Sequence, residues 1–235
     1  MNNQKPKITI PETFMGVPIK GAMERVLSKA KNQTQIPVQS PSTALDRKGM
    51  IYVSSANLYF AKPRTYLDKN WKDTHKLLAQ EKLRMPTIEE FRKTLNYLKN
   101  SQEQEYQELY NEITEVRGPW RAGWLDAYFE KRKDGLYLLT GNKTKAEKLE
   151  NCLMEDKIPG ISLENWLEGK NITSQGLPSS NIDDGKLYYW CPVNNEVARF
   201  ATVSDWAALD CYGYPSGRSS YLGVFAVADI GKNAR

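Results

Sequence analysis

The spacing of apolar residues changes part-way along this chain, and that change limits the fold more than any single motif does. Ile88, Phe91, Leu95 and Leu98, then Tyr106, Leu109, Tyr110, Ile113 and Val116, recur every three or four positions. That spacing draws one apolar stripe along each of two helices. After a loop at 173–185 rich in Gly, Ser, Asn and Asp, the apolar residues come in short runs instead. Leu187-Tyr-Tyr-Trp-Cys191, Val197 to Thr202 and Leu222 to Ala228 are strand candidates. Helices placed before strands, with no regular alternation and no internal repeat, predict an α+β domain.

Local signals fill in the rest. Thr87-Ile-Glu-Glu90 is a capping box, in which the threonine oxygen and the Glu90 carboxylate each satisfy an exposed backbone N–H. Asp68 or Asn70 is placed to cap a helix running through Lys82. Met50 to Val53 and Leu58 to Ala61 read as short strands. Trp124 to Phe129 and Leu136 to Thr140 read as a hairpin around Lys131-Arg-Lys-Asp-Gly135, and Lys145 to Met154 and Leu163 to Glu168 as short helices. Residues 1–47 carry Pro6, Pro11, Pro18, Pro37 and Pro41, interrupted by one amphipathic stretch, Gly21 to Lys31. They are expected to form an arm with a short helix, leaving 48–235 as the domain.

The chemical inventory excludes several functions. A chain of 235 residues with one histidine has no histidine-rich metal site, and its only triad candidate, His75, sits on an expected helix. There is no Gly-x-Ser-x-Gly elbow, phosphate loop or dinucleotide fingerprint, so no catalytic residue and no cofactor is expected. Asp183 and Asp184 could hold calcium through loop oxygens or could form a solvated turn. Net charge of +5 is modest, and the Lys131-Arg-Lys133 triplet is read as a solvated turn, so no nucleic-acid partner is expected. No run of apolar residues is long enough to span a membrane, and Met1 to Ile10 lacks the apolar core of a secretory signal. Cys152, Cys191 and Cys211 lack CxxC spacing; a Cys191–Cys211 bridge and buried free thiols both stay open.

The tail is unusual. From Val197 to Gly231 there is no Lys, Glu, Gln or Met, and the one tryptophan is Trp206. Part of that deficit is ordinary strand preference. Asp210-Cys-Tyr-Gly-Tyr-Pro-Ser-Gly-Arg-Ser-Ser-Tyr221, however, is the palette of an antibody paratope. Tyrosine supplies contact area at low entropic cost, while Ser and Gly adapt around it. A turn between strands, punctuated by glycine and proline, is the other reading of the same residues.

Two features together carry a family resemblance. Arg84-Met-Pro-Thr-Ile-Glu-Glu-Phe91 resembles the helix start of formylglycine-generating enzymes and their C-type-lectin-fold relatives. Val197-Ala-Arg-Phe-Ala before the palette and Leu222-Gly-Val-Phe-Ala-Val227 after it are similar to the variable proteins of diversity-generating retroelements, with the archaeal viral branch nearest in layout. The resemblance covers roughly residues 48–235. It implies a C-type-lectin-like domain with a short N-terminal arm and a hypervariable segment at about 197–227. Template adenines are mutated in that family, so Asn codons ending in a pyrimidine diversify but never become Lys, Glu, Gln, Met or Trp.

The resemblance places the variable, ligand-facing positions at Thr202, Ser204, Ala207, Ala208, Asp210, Tyr212, Gly213, Tyr214, Ser216, Gly217, Ser219, Ser220 and Tyr221. Arg218 is also reachable by mutation. Arg199, Phe200, Trp206, Leu209, Leu222 and Val224 are expected to be scaffold. The implied function is binding without catalysis, with a protein or cell-surface ligand as partner and no ion required. Two alternatives accompany it: a calcium-dependent lectin or formylglycine-generating-like enzyme on the same fold, and a virion structural subunit anchored by the arm. Location, at a virion or a cell surface, and oligomeric state stay open.

Overall fold

The computed structural model describes residues 49–230, together with the backbone of β1 (Thr13–Phe14) and β2 (Val17–Pro18), a short antiparallel ladder. The chain divides into two units, 1–44 and 45–235. The helix expected at Gly21 to Lys31 lies outside the described residues.

The second unit is mixed α+β and mostly sheet. β3 (Met50–Val53), β4 (Leu58–Ala61) and β13 (Val227–Asp229) form a small antiparallel sheet with β4 in the middle. The large sheet is built on β5 (Arg121–Arg132), a strand long enough to pair with different partners along its length. Its far half pairs with β6 (Gly135–Thr140), which continues to β7 (Lys145–Lys148). Its near half pairs with β10 (Val197–Thr202) on one side and β12 (Leu222–Gly223) on the other. From β10 the sheet continues through β11 (Ala207–Gly213) and β9 (Leu187–Trp190) to β8 (Lys157–Ile161).

The helices are α1 (Trp71–Gln80), α2 (Ile88–Asn100), α3 (Gln104–Thr114) and α4 (Leu163–Glu168). Asn70 caps α1 by accepting from the Asp73 N–H at 2.8 Å. The expected capping box of α2 is present: Glu90 N–H donates to Thr87 Oγ1 at 3.2 Å, and Thr87 N–H to Glu90 Oε2 at 2.8 Å. Ile88, Phe91, Leu95 and Leu98 are all buried. They lie in the core beneath the large sheet, where Phe91 meets Phe200 at 5.4 Å and Trp166 stacks on Phe200 at 6.1 Å. Buried indoles keep their N–H satisfied: Trp166 donates to the Gly176 carbonyl and Trp71 to the Leu125 carbonyl.

Glu90 also works outside its own helix. The Arg84 guanidinium grips both Glu90 carboxylate oxygens at 2.7 Å and reaches Asp229 Oδ1 at 2.6 Å. Arg84 and Val227 exchange backbone hydrogen bonds at 2.9 and 2.8 Å. The helix cap and the last strand are therefore joined at one cation. Burial opposes the Arg84 charge, and the hydrogen bonds to Glu90 and Asp229 outweigh it, raising its pKa. Its hydrogen bond in turn holds the Asp229 carboxyl below its ordinary value, against a smaller opposing effect of burial.

Three expectations need correction. Lys145 to Met154 is not a helix: Lys145–Lys148 is an exposed edge strand paired with β6, and the chain then runs irregularly to β8. Leu222 to Ala228 is not one strand, because β12 pairs with β5 and β13 with β4 in different sheets. The stripe drawn to Val116 ends earlier, since α3 stops at Thr114 and Val116 is exposed. β8 and β11 carry no strand signal of their own in the sequence reading; glycine, proline and polar residues within them mask it.

Thr87→Ala orphans the Glu90 N–H and is expected to cost about 1 kcal/mol, lowering the melting temperature by roughly 2–4 °C in a domain of this size. An unchanged melting temperature contradicts the cap. Asp229 supplies a pH test. Its folded pKa lies below its unfolded value, so its contribution is present above about pH 4 and lost as pH falls through the folded value. Melting curves from pH 5 to pH 2.5 should therefore fall less steeply for Asp229→Asn than for the parent protein; identical slopes contradict the Arg84 node.

Candidate ligand-binding face

β11 lies between β10, antiparallel to it, and β9, parallel to it. Arg199 and Trp190 both stand beside Asp210, while Ala201 and Tyr188 stand beside Ala208. Side chains alternate across a sheet. Ala207, Leu209 and Cys211 therefore enter the core under α2, and Ala208, Asp210 and Tyr212 share the outer face with Tyr188 and Trp190.

The outer face at this edge is aromatic. Trp206 and Tyr188 stack at 5.2 Å with their planes 5° apart. Trp190 meets the Trp206 ring edge-on at 4.9 Å, and Tyr212 meets Trp190 edge-on at 6.1 Å. Tyr188, Trp190 and Trp206 are half-buried and Tyr212 is exposed. Beneath them Asp210 is buried, accepting from Arg199 Nε at 2.7 Å and from the Tyr212 N–H at 3.0 Å. The Arg199 guanidinium extends toward Trp120, 5.9 Å from its ring centre, and Trp120 lies 6.4 Å from Tyr221. One ion pair thus links the aromatic row to the far end of the loop that follows β11.

That loop, residues 214–221, is anchored along its length. Trp71 N–H donates to the Pro215 carbonyl and Asp68 N–H to the Ser219 carbonyl. Arg218 pairs with Asp73 at 3.1 Å, and Ala122 N–H donates to the Tyr221 carbonyl. Pro215 and Ser216, Asn142 and Lys143 of the β6–β7 turn, and Asn70 to Asp73 line an open cavity of about 520 Å³. Beside it the Lys143 ammonium sits 3.2 Å from the centre of the Tyr128 ring.

The expected variable positions divide into two groups. Ser204, Tyr212, Tyr214, Ser216, Arg218, Ser220 and Tyr221 are exposed. Gly217 and Ser219 are half-buried, and the Ser219 hydroxyl and carbonyl accept from Tyr221 and Leu222 N–H. Thr202, Ala207, Ala208, Asp210 and Gly213 are buried, which corrects the expectation that every one of these positions faces a ligand. The physical reason lies in the strands: Thr202 belongs to β10 and the other four to β11, Ala207 packs into the core, and Asp210 is covered by its pairing with Arg199. At Gly213 an added Cβ would lie 3.1 Å from the Val197 carbonyl oxygen.

Among the scaffold positions, Phe200, Leu209, Leu222 and Val224 are buried and Arg199 holds Asp210. Trp206 is the exception. It lies half-exposed in the aromatic row. Tyr188, Trp190 and Trp120 belong to this face and were not among the site residues read from the sequence. In Leu187-Tyr-Tyr-Trp190 alternate residues are buried and half-exposed, but a run of aromatic residues hides that alternation.

Other candidate groups sit elsewhere. His75 Nε2 and Asp126 Oδ1 are 3.3 Å apart and buried, poorly aligned for a hydrogen bond, while Asp126 Oδ2 accepts from Gly141 N–H at 2.7 Å. Asp183 accepts from the Asn165 amide, and Asp184 pairs with Lys157 at 3.4 Å. The three cysteines are free, and all lie in electrostatic reach of Tyr189. Burial pushes the Cys152 and Cys191 thiols up to about 11, with the hydrogen bond to Asp156 adding to the shift at Cys191; burial also raises Cys211 well above the ordinary range. At neutral pH all three are held as thiols. Among the described residues no helix is long and apolar enough to cross a membrane.

Comparison with protein families, curated proteins and solved structures finds no match for this chain.

The division between exposed and buried positions sets a stability contrast. Tyr214→Ala, 72 % exposed in the free protein, should change stability by less than about 0.5 kcal/mol. Leu209→Ala, which leaves a cavity in the core, should cost about 2–5 kcal/mol. Asp210→Ala leaves Arg199 and the Tyr212 N–H without their acceptor and should cost about 1–3 kcal/mol. Urea denaturation of the three variants checks this; equal costs at Tyr214 and Leu209 contradict the face.

Proposed function

We propose that this chain is a ligand-binding protein whose exposed loop and sheet edge recognise a protein or cell-surface ligand, and that a retroelement diversifies that surface on a C-type-lectin-like frame. The reading assigns it no chemistry and no cofactor. The observation that carries the proposal is the exposure pattern of residues 212–221. Tyr212, Tyr214, Ser216, Arg218, Ser220 and Tyr221 are exposed, while the loop is held chiefly through backbone carbonyls, those of Pro215, Ser219 and Tyr221, with the Arg218–Asp73 pair as a side-chain tie. Such a surface changes its chemistry without changing its support. The absence of Lys, Glu, Gln and Met between Val197 and Gly231 agrees with diversification of codons that keep a third-place pyrimidine. Tyrosine beside Ser and Gly is the composition that binds unrelated surfaces at low entropic cost.

Buried candidates narrow the proposal. Thr202, Ala207, Ala208, Asp210 and Gly213 do not reach a ligand in this fold, so useful variation concentrates at the exposed set. Deep sequencing of the gene across its source population measures this directly. Amino-acid changes are expected to cluster at codons 204, 212, 214, 216, 218, 220 and 221. A near-copy of codons 197–227, with adenines at those positions, should lie beside a reverse-transcriptase gene. Uniform variation along the gene and no such copy would falsify the proposal.

A further inference from the structure

The four rings of the aromatic row leave a chemical question that the loop does not answer. Four rings stacked flat on one another would cover one another's faces. Here only Tyr188 and Trp206 do, and Trp190 and Tyr212 each turn edge-on to a neighbour. An edge-on contact covers one face of one ring and leaves that ring's other face, which carries the negative side of the aromatic quadrupole, outside the contact. Elsewhere in the molecule ring faces are covered by the protein's own cations: Arg132 over Tyr137, Lys143 over Tyr128 and Arg199 toward Trp120. Among the described residues none covers the row.

The charges around the row point the same way. Asp156 lies at the Tyr212 end, accepting from the Cys191 N–H and acting electrostatically on the Tyr212 hydroxyl. Asp205 precedes Trp206 and accepts from the Ser204 hydroxyl. Both carboxylates are exposed, and neither has an ion-pair partner among the described residues. Asp210 is neutralised by Arg199, and Asp184 by Lys157. Lys186, exposed one residue before β9, adds one ammonium against the two free carboxylates. In a chain of net charge +5, this edge combines partly exposed rings that no cation of the described residues covers with two carboxylates that lack an ion-pair partner.

We infer that the Tyr188–Trp190–Trp206–Tyr212 row, with Asp156 and Asp205, is a seat for a cationic side chain of a protein partner, an arginine above all. A guanidinium is planar and weakly hydrated; it stacks on an aromatic face while its edge donates to a carboxylate. The inference rests on the proposed binding function and deepens it. Tyr188, Trp190 and Asp156 lie outside the 197–227 segment, and tryptophan is not a product of the proposed diversification. The constant part of the face thus selects a class of partner, and the exposed loop positions select among its members.

The probe is an acetylated peptide of alternating glycine and arginine. It is titrated into the full-length protein while the indole N–H resonances of Trp190 and Trp206 are followed by NMR. Matched glycine–lysine and glycine–aspartate peptides and a neutral oligosaccharide serve as comparisons. Saturable shifts at both indoles are expected with the arginine peptide, weakening as salt rises. Affinity should fall at least fivefold in the Asp156→Asn/Asp205→Asn double variant, whose exposed sites leave the melting temperature unchanged, and at least tenfold in Trp190→Ala. Should Trp190→Ala fail to fold, the double variant decides. Absence of saturable shifts in the parent protein, unchanged affinity in the double variant, or equal binding of the aspartate peptide or the oligosaccharide overturns the inference. Its failure is separable from that of the proposed function: uniform codon variation removes the function whatever the peptide does, and clustered variation without arginine binding removes only the cationic seat.

Discussion

The outer face depends on the end of the chain returning to Arg84. A surface loop following a strand is ordinarily free at its far end, and its entropy then works against any fixed binding geometry. Here β12 joins β5, β13 joins β4, and the Arg84 guanidinium ties Asp229 to Glu90 at the start of α2. The loop is held at both ends by elements that do not belong to it. The same carboxylate that completes the helix cap therefore also fixes where the loop must finish.

Within that frame, Arg199 and Asp210 divide support from surface. A carboxylate buried in mid-sheet needs a partner and hydrogen bonds to compensate its lost hydration. Asp210 has Arg199 on one oxygen and the Tyr212 N–H on the other. The pair fixes the last turn outward of β11, setting Tyr212 against Trp190 on one side and directing the guanidinium toward Trp120 on the other. Changing Asp210 changes the support; changing Tyr214 or Ser216 changes only what a partner meets.

Much of this frame was legible in the sequence because it rests on local signals. The Thr87–Glu90 capping box, the Ile88–Leu98 stripe and the Asn70 cap are short-range patterns with one structural solution. The β5–β6 hairpin and the strands at Met50, Leu58, Leu187 and Val197 were legible for the same reason. What escaped was long-range. Lys145–Lys148 has helix-forming residues but is held as a strand by β6. Ala207–Gly213 resembles a loop in composition and becomes a central strand because β9 and β10 flank it. The resemblance set Ala208 and Asp210 among the ligand-facing positions, and the missed strand left that placement standing. Missing that strand also hid the row in which Trp206 meets Tyr188 and Trp190, since residues far apart in sequence share a face only once the register is known.

The central claim is that variation at the outer face is independent of the fold. A library randomised at Ser204, Tyr212, Tyr214, Ser216, Arg218, Ser220 and Tyr221, set beside one randomised at Thr202, Ala207, Ala208, Asp210 and Gly213, measures that independence when both are scored for soluble, cooperatively melting protein. The account predicts that most members of the first library fold with melting temperatures near the parent's and that few of the second do. If the first library aggregates as often as the second, the loop is part of the core and this is not a binding face.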